Sequence, residues 1–224
     1  ENKMSKKPKI YLVDVTNRDG VQTARLGLAK LEKTMLNYYL NEMGVFQSEF
    51  GFPVTHHETN YLNANLELAE MGVLSPIRLS GWMRAITDDV DVAFNKCPKL
   101  KYLNLSISTS DQMIVNKFGG KLDRKSIISE MTEAVKLALK KGAVSVGVNA
   151  EDASRTGVPY LTEFGKAAKK AGADRLRYCD TLGYDDPESI YTRVKQLAEV
   201  TRLPTEVHCH NDLGMAVANS LAAV

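Results

Sequence analysis

Two histidines separated by one residue, together with a distant carboxylate, are the most chemically informative side chains of the sequence. His208 and His210 form an H-x-H pair, and alternate residues of a β-strand face the same side. Two imidazoles and one carboxylate can hold Mg²⁺, Mn²⁺ or Zn²⁺ and leave positions open for a substrate. Asp19 is the best carboxylate because it follows the first predicted strand. We predict a divalent metal centre at these three residues; the alternative is a pair of core histidines with hydrogen-bond partners.

Other charged residues lie beside this predicted centre or after another predicted strand. Arg18 precedes Asp19, and a guanidinium next to a metal can stabilise an enolate or alkoxide. A structural ion pair is the alternative for Arg18. Glu151 and Arg155 are four residues apart at a predicted helix start, so they could equally form a surface ion pair.

Short apolar runs alternate with helical patterns along the whole sequence. Each strand-like run is rich in apolar and β-branched residues, and most of the helical stretches end at a glycine. The predicted strands cover residues 10–15, 45–50, 76–80, 101–107, 143–149, 175–179 and 205–210. The predicted helices cover residues 28–43, 58–71, 86–95, 123–140, 160–170 and 187–200, and a last one begins near residue 213. Consecutive β-α units indicate a parallel sheet with right-handed crossovers.

The choice between an open and a closed parallel sheet depends on the first turn. A doubly wound sheet would have a G-x-G-x-x-G turn, whereas residues 16–20 read Thr-Asn-Arg-Asp-Gly. We therefore predict an α/β fold of the (β/α)8 TIM-barrel type, truncated after about seven β-α units. Residues 1–224 would form one catalytic domain that is incomplete at its C-terminus. In such a barrel, chemistry occurs at the C-terminal ends of the strands.

Composition excludes several classes of protein. Hydrophobic residues make up 44% and charged residues 25%, as in ordinary globular proteins. The net charge of +2 gives no sign of nucleic-acid binding, and no apolar run is long enough to predict a membrane helix. The three cysteines are far apart and form no C-x-x-C pair, which favours reduced thiols in a cytoplasmic protein.

The motifs resemble those of one enzyme family, the acyl-CoA-condensing metalloenzymes. This family includes 2-isopropylmalate, homocitrate, citramalate and Re-type citrate synthases, and its barrel is similar to that of HMG-CoA lyase. The resemblance spans essentially the whole chain and rests on ordered motifs. They are R-D-G-V-Q at 18–22 with Lys33, G-F-P at 51–53, E-D-x-x-R at 151–155, D-T-L-G at 180–183 and H-C-H-N-D-L-G at 208–214.

The resemblance implies a metal-dependent Claisen condensation of acetyl-CoA with a 2-oxo acid, of the homocitrate or Re-citrate kind. It implies that Arg18 and Glu151 are catalytic and that Gln22, Asn149 and Thr181 bind substrate. It also implies that Asp19, His208 and His210 bind the divalent metal and that the protein is a homodimer. The expected partners are small molecules rather than nucleic acid or membrane.

One departure from the family bears on the substrate. Lysine-pathway homocitrate synthases have Arg-x-Ser before the E-D motif, where this sequence has Gly147 and Asn149. This difference argues against 2-oxoglutarate.

Two other functions remain open from the sequence. Lyases of the HMG-CoA type share the barrel and the metal site, but they more often have H-x-H-D-T-x-G, where this chain has Asn211 and Asp212. A barrel without its last unit could also bind metal and have no catalytic activity.

Overall fold

The computed structural model describes residues 9–224, which contain one sheet of seven parallel strands. The strands are adjacent in chain order, from β1 at one edge to β7 at the other. They are Val13–Asp14 (β1), Gln47–Gly51 (β2), Arg78–Arg84 (β3), Tyr102–Ser108 (β4), Ser145–Glu151 (β5), Arg175–Asp180 (β6) and Thr205–Cys209 (β7). Every adjacent pair is parallel.

Each strand is followed by a helix, and β4 is followed by two. The helices are Lys30–Glu42 (α1), Thr59–Glu70 (α2), Thr87–Lys96 (α3), Asp111–Lys117 (α4), Arg124–Lys140 (α5), Val158–Ala171 (α6), Pro187–Thr201 (α7) and Ala216–Ala222 (α8). Local sequence fixes the start of α7. The Asp186 carboxylate accepts the N–H groups of Glu188 and Ser189, and Pro187 is the first residue of the helix. Among the described residues, no helix is long and apolar enough to span a bilayer.

The sheet curls into a half-barrel, because residues at its two opposite edges come into contact. Asp19 follows β1 and His208 lies in β7, yet Asp19 Oδ2 is 3.3 Å from His208 Nε2. The predicted parallel α/β barrel with seven β-α units is therefore confirmed. The helices cover the outer face of this sheet, where fully buried apolar residues such as Leu105, Val148 and Leu176 form the core.

Three predicted elements are corrected by the structure. The first strand is Val13–Asp14 rather than 10–15 because only these residues pair with β2, and Ile10, Tyr11 and Leu12 are more than half exposed. The third strand is Arg78–Arg84 rather than 76–80, since its pairing with β4 continues through Trp82 to Arg84. The short helix α4 was absent from the predicted elements, although Ser110 accepts the Met113 N–H as its N-cap.

Candidate metal centre and active site

A tight turn after β1 presents Arg18 and Asp19 at the end of the barrel. The carbonyl oxygen of Val15 accepts the N–H groups of Arg18, Asp19 and Gly20 at 3.1, 2.7 and 3.1 Å. This shared acceptor folds the chain back on itself directly after the strand. The side chains of Arg18 and Asp19 are consequently held beside the end of β7.

The histidines of the H-x-H pair lie against Asp19. Their rings are stacked, with centroids 4.8 Å apart and an interplanar angle of 6°. Asp19 Oδ2 is 3.3 Å from His208 Nε2 and 3.5 Å from His210 Nε2. One ligand atom from each residue lies within 4.8 Å of the other two. The structure thus brings together all three residues for which the sequence predicted a metal-binding role.

Electrostatics favours the protonation states that metal binding requires. The hydrogen bond with His208 lowers the pKa of Asp19 to about 2, and the Arg18 charge contributes in the same direction. Burial lowers the pKa of His208, which favours the neutral imidazole. An ionised carboxylate and a neutral imidazole are the metal-binding forms of these groups. The donor set therefore fits a divalent cation.

Arg18 is fixed beside the candidate metal ligands by two carboxylates and one aromatic ring. Its Nη1 donates to Asp19 Oδ1 at 2.7 Å, and its Nε donates to Glu49 Oε2 at 2.8 Å. The guanidinium carbon lies 5.3 Å from the centroid of the Trp82 ring. Arg18 is therefore held in one orientation, with its charge next to the Asp19 carboxylate of the candidate metal centre.

A network of ion pairs crosses the barrel interior below Arg18, and sequence reasoning missed it. Arg177 donates to Glu49 on the opposite side of the barrel and, at 2.8 Å, to Glu206. Arg175 donates to the other oxygen of Glu206 at 2.7 Å. Burial raises the pKa of Glu49, but the charges of Arg177 and Arg18 outweigh it and the net pKa is lowered. The alternation of charged residues in 175–177 was the signal that could have revealed this network.

Glu151 has a different partner from the one that its spacing suggested. Lys117 Nζ donates to both Glu151 oxygens, at 2.8 and 2.9 Å, and to Ser108 Oγ at 3.0 Å. Arg155 instead pairs with Asp152 at 2.6 Å. The alternative of a Glu151–Arg155 surface pair is therefore wrong, because α4 places Lys117 over the end of β5.

The three predicted substrate residues have different environments. Thr181 Oγ1 accepts the Asp152 N–H at 2.9 Å, so it joins the ends of β5 and β6. Asn149 is buried in the middle strands of the sheet, and Gln22 is exposed in a short 3₁₀ turn after Asp19. Arg18 donates to the side chain of the candidate ligand Asp19, whereas the Gln22 backbone N–H donates to the Asp19 carbonyl oxygen at 3.0 Å.

The sequence of residues 9–224 matches the HMGL-like family. The chain belongs to the HMGL-like family. This HMGL-like chain is 66% identical over 214 residues to a citrate (Re)-synthase from Dehalococcoides mccartyi (strain CBDB1), covering 96% of the chain and 52% of that protein. It is 44% identical over 215 residues to 2-isopropylmalate synthase 2 from Caldanaerobacter subterraneus subsp. tengcongensis, covering 96% of the chain and 54% of that protein.

The HMGL-like chain spans about half the length of these curated relatives. Its structure is also similar to that of hydroxymethylglutaryl-CoA lyase from Pseudomonas aeruginosa, with a TM-score of 0.76 at 17% identity. That similarity covers 96% of this chain and 72% of the lyase. At so low an identity it establishes the barrel fold and not the reaction. The predicted resemblance to the acyl-CoA-condensing metalloenzymes is confirmed at the level of the family.

Proposed function

We propose that this chain carries the metal centre and catalytic residues of a synthase that condenses acetyl-CoA with a 2-oxo acid. The observation that carries the proposal is the cluster of Asp19, His208 and His210 with the Arg18 guanidinium bonded to the same carboxylate. The sequence identity of 66% to a citrate (Re)-synthase supports a condensation of the Re-citrate kind, with oxaloacetate as the 2-oxo acid.

Metal binding would use the three donors described above. A divalent cation held by Asp19, His208 and His210 would act as a Lewis acid toward the carboxylate and ketone oxygens of the 2-oxo acid. Arg18 would stabilise the negative charge that develops on the ketone oxygen, from a position fixed by Glu49 and Asp19. Because Arg18 is already oriented, no reorganisation is needed when that charge appears.

Proton removal from acetyl-CoA is assigned to Glu151. Its carboxylate would take a proton from the thioester methyl group, and the resulting carbanion would form the new carbon–carbon bond to the ketone carbon. The ketone oxygen would become an alkoxide, and the proton taken up by Glu151 would return to it, directly or through water, to give a hydroxyl group. Water would cleave the thioester to release the CoA thiol and a carboxylate. Lys117 would hold the Glu151 oxygens in place, while Gln22, Asn149 and Thr181 would position the 2-oxo acid.

An assay of CoA release tests the condensation. The chain is loaded with Mg²⁺, Mn²⁺ or Zn²⁺ and given acetyl-CoA with oxaloacetate, 2-oxoglutarate, pyruvate or 2-oxoisovalerate, and the free thiol is measured. We expect release that depends on both metal and 2-oxo acid and is fastest with oxaloacetate. Cleavage of HMG-CoA without condensation would favour the lyase. Metal binding without turnover would favour a metal-binding chain that is not catalytic.

Metal content tests the centre separately from turnover. His208→Ala and His210→Ala should each lower the affinity for the divalent cation by roughly 100-fold or more, because even outer-shell changes cost about 10- to 100-fold. Exposed His56, which lies in a short turn before α2, provides the matched control, and His56→Ala should leave metal affinity unchanged. Unchanged metal content in both H-x-H variants would show that the centre is misassigned.

Two further expectations from the sequence stay predictions. The homodimer implied by the family can be checked by light scattering. The cytoplasmic location is supported by three free cysteines, Cys97, Cys179 and Cys209, and fractionation of the source cells would test it.

A further inference from the structure

A cavity of about 360 Å³ lies beside the turn that follows Asp19. Its walls are the 3₁₀ turn Gly20–Gln22, the segment that leads into α1, and the start of α2. In the described part of the chain, the residues that line it do not include Asp19, His208 or His210, so it is separate from the candidate metal centre. Its volume is that of a small-molecule site, and the chemistry of its walls decides what it can bind.

One wall of the cavity is polar and offers hydrogen-bond donors. Helix α1 buries Lys33, which is 4% exposed, whereas Leu31 on the same helix is 71% exposed, the reverse of a typical surface helix. Lys33 Nζ donates to Glu58 Oε1. This is the one hydrogen bond that Nζ makes among residues 9–224, although an ammonium group has three donors. The other Glu58 oxygen accepts the Phe52 N–H at 2.7 Å, so both carboxylate oxygens are already engaged while the ammonium group has donors to spare.

The remaining walls of the cavity are mainly apolar. Val21, Leu26 and Leu28 supply aliphatic side chains, and Tyr61 supplies an aromatic ring. Lys30 also lines the cavity, so the lining carries two ammonium groups and one carboxylate. A positively charged end with free donors, next to an aliphatic surface, is complementary to an anion that carries a hydrocarbon chain. A small alkyl carboxylate has both parts.

The cavity is placed to act on Asp19, because one of its walls is the turn that follows this residue. The Val21 N–H donates to the Thr16 carbonyl at 3.0 Å, so this bond stays within the turn. Lys33, on the opposite wall, belongs to the layer of helices outside the sheet. A ligand that contacts both Val21 and Lys33 ties the turn to that layer. Such contacts exist only while the turn is in the position seen here, so binding stabilises that position.

We propose that this cavity is an effector site for a small alkyl carboxylate, whose binding strengthens metal binding at Asp19. The carboxylate accepts hydrogen bonds from Lys33, and the hydrocarbon chain packs against Val21, Leu26 and Leu28. Because linkage is reciprocal, a bound metal strengthens carboxylate binding by the same factor. Binding in the cavity does not depend on the proposed condensation, whereas the effect on the metal rests on the proposed metal centre.

The first experiment compares hexanoate, hexanamide and acetate in the chain without added metal. Hexanamide has the same chain without the charge, and acetate has the charge without the chain. Ligand-observed NMR titration measures each affinity. We expect hexanoate to bind roughly tenfold more tightly than hexanamide, because hydrogen bonds to a charged group are stronger. It should bind roughly a hundredfold more tightly than acetate, because it buries additional methylene groups. An affinity for hexanoate equal to that for either other probe, or no binding of hexanoate, would overturn the proposal.

A double variant tests the polar wall of the cavity. Lys33→Met with Glu58→Gln removes both charges together, so that neither is left buried without its partner. We expect it to lower the affinity for hexanoate to that for hexanamide. Lys136→Met with Glu133→Gln removes an exposed ion pair of α5 and is the matched control, in which the affinity for hexanoate should be unchanged. Urea unfolding shows that each variant is folded.

A single variant tests the apolar wall and leaves the ion pair intact. Leu28→Trp fills the cavity and should lower the affinity for hexanoate roughly tenfold or more. Leu31→Trp, at an exposed position of the same helix, is the control. Unchanged affinity for hexanoate in folded Leu28→Trp would contradict the site even if the double variant does not fold. His208→Ala should bind hexanoate as the wild type does, and a loss of binding there would place hexanoate at the metal centre and overturn the proposal.

Metal titration tests the effector role. Saturating hexanoate should raise the affinity for Mn²⁺, measured by electron paramagnetic resonance, roughly fivefold or more. Saturating Mn²⁺ should raise the affinity for hexanoate by the same factor. The rise should be absent in Leu28→Trp, which distinguishes it from coordination of Mn²⁺ by the carboxylate itself. An affinity for Mn²⁺ that hexanoate leaves unchanged or lowers, or a rise that persists in Leu28→Trp, would overturn the effector role.

The outcome can be separated from that of the proposed function. A chain that binds hexanoate in the cavity and responds to it in Mn²⁺ affinity, but releases no CoA with any 2-oxo acid, would support the effector site and reject the condensation. CoA release by a chain that does not bind hexanoate would support the condensation and reject the effector site.

Discussion

The two faces of the curled sheet are built from opposite chemistries. On the outer face, Leu105, Val148 and Leu176 are fully buried against helices. On the inner face, Glu49 and Arg177 are equally buried, but they are charged and paired across the barrel. Because two buried charges contribute little net stability compared with apolar residues of the same size, the inner face adds less to the stability of the fold than the outer face does. The outer face accounts for the stability of the fold.

The largest expected effect comes from removing one charge on the inner face. Glu49→Gln would leave the guanidinium groups of Arg18 and Arg177 without their shared carboxylate, and breaking a buried pair costs about 3–5 kcal/mol. Leu105→Ala on the outer face should cost about 2–5 kcal/mol through a cavity. Urea unfolding measures both losses.

Substitutions on the two faces should have different effects on metal affinity. It should fall in Glu49→Gln, since Arg18 loses the contact that orients it beside Asp19, and it should be unchanged in Leu105→Ala. Equal effects of the two variants on metal affinity would contradict the expectation that metal affinity depends on the inner face and not on the outer face.

Arg18→Lys tests whether the inner face acts in catalysis. We expect kcat to fall on the order of 10²-fold or more, with a smaller change in KM, as when one oxyanion donor is removed. A lysine keeps the charge but loses the planar fork through which Arg18 donates to Glu49 and Asp19 from two different nitrogens. Steady-state CoA release measures the effect. Arg193→Lys is the control, because Arg193 lies in α7 outside the barrel, where its Nη1 donates to the Thr156 carbonyl. Near-normal turnover of Arg18→Lys would leave Arg18 with a structural role only.

Acid titration tests the ionisation of Glu49 on the inner face without an activity assay. The folded-state pKa of Glu49 lies below its ordinary value of 4.5 because the charges of Arg177 and Arg18 outweigh burial. Its contribution to stability is therefore fully present above pH 4.5 and is lost as the pH falls through the lower folded value. The difference in unfolding free energy between the wild type and Glu49→Gln should be largest near neutral pH and should shrink below pH 4.5. A difference that is constant with pH would contradict this ionisation.

The smallest effect is expected outside the barrel. Asp186→Ala removes the N-cap of α7, whose carboxylate accepts two N–H groups at 2.9 Å, and should cost about 1 kcal/mol. Metal affinity should not change, because the cap lies on the helical side of the sheet. Asp186→Asn, which retains an accepting oxygen, should restore most of the lost stability.

The outer face was predictable from sequence because its signals are local. Alternating apolar residues in 101–107 and 143–149 predicted β4 and β5, and Asp186 with Pro187 predicted the start of α7. Much of the candidate site was predictable for the same reason. The H-x-H pair and the Arg18-Asp19 pair each carry their information within a few residues.

The inner face was not predictable, since its pairs are distant in sequence. Glu49 and Arg177 are 128 residues apart, and no local pattern specifies which carboxylate a guanidinium meets across a barrel. Lys117 was missed because helix α4 was missed, so Glu151 was considered only with its near neighbour Arg155. The end of β3 was missed because Gly81 and Trp82 interrupt the apolar pattern that marks the other strands.

If Asp19 binds a cation as we propose, the shortness of β1 makes cation binding and local folding a single equilibrium. Only Val13 and Asp14 pair with β2, so the turn that carries Asp19 has the weakest backbone attachment of the three ligands. When this segment opens, the centre loses a ligand, and the observed affinity is the intrinsic one reduced by the closed fraction. A bound cation should therefore slow amide hydrogen exchange at Arg18, Asp19 and Gly20, whose N–H groups share the Val15 carbonyl. Substitutions that lengthen the pairing of β1 with β2 should tighten metal binding without contacting the metal.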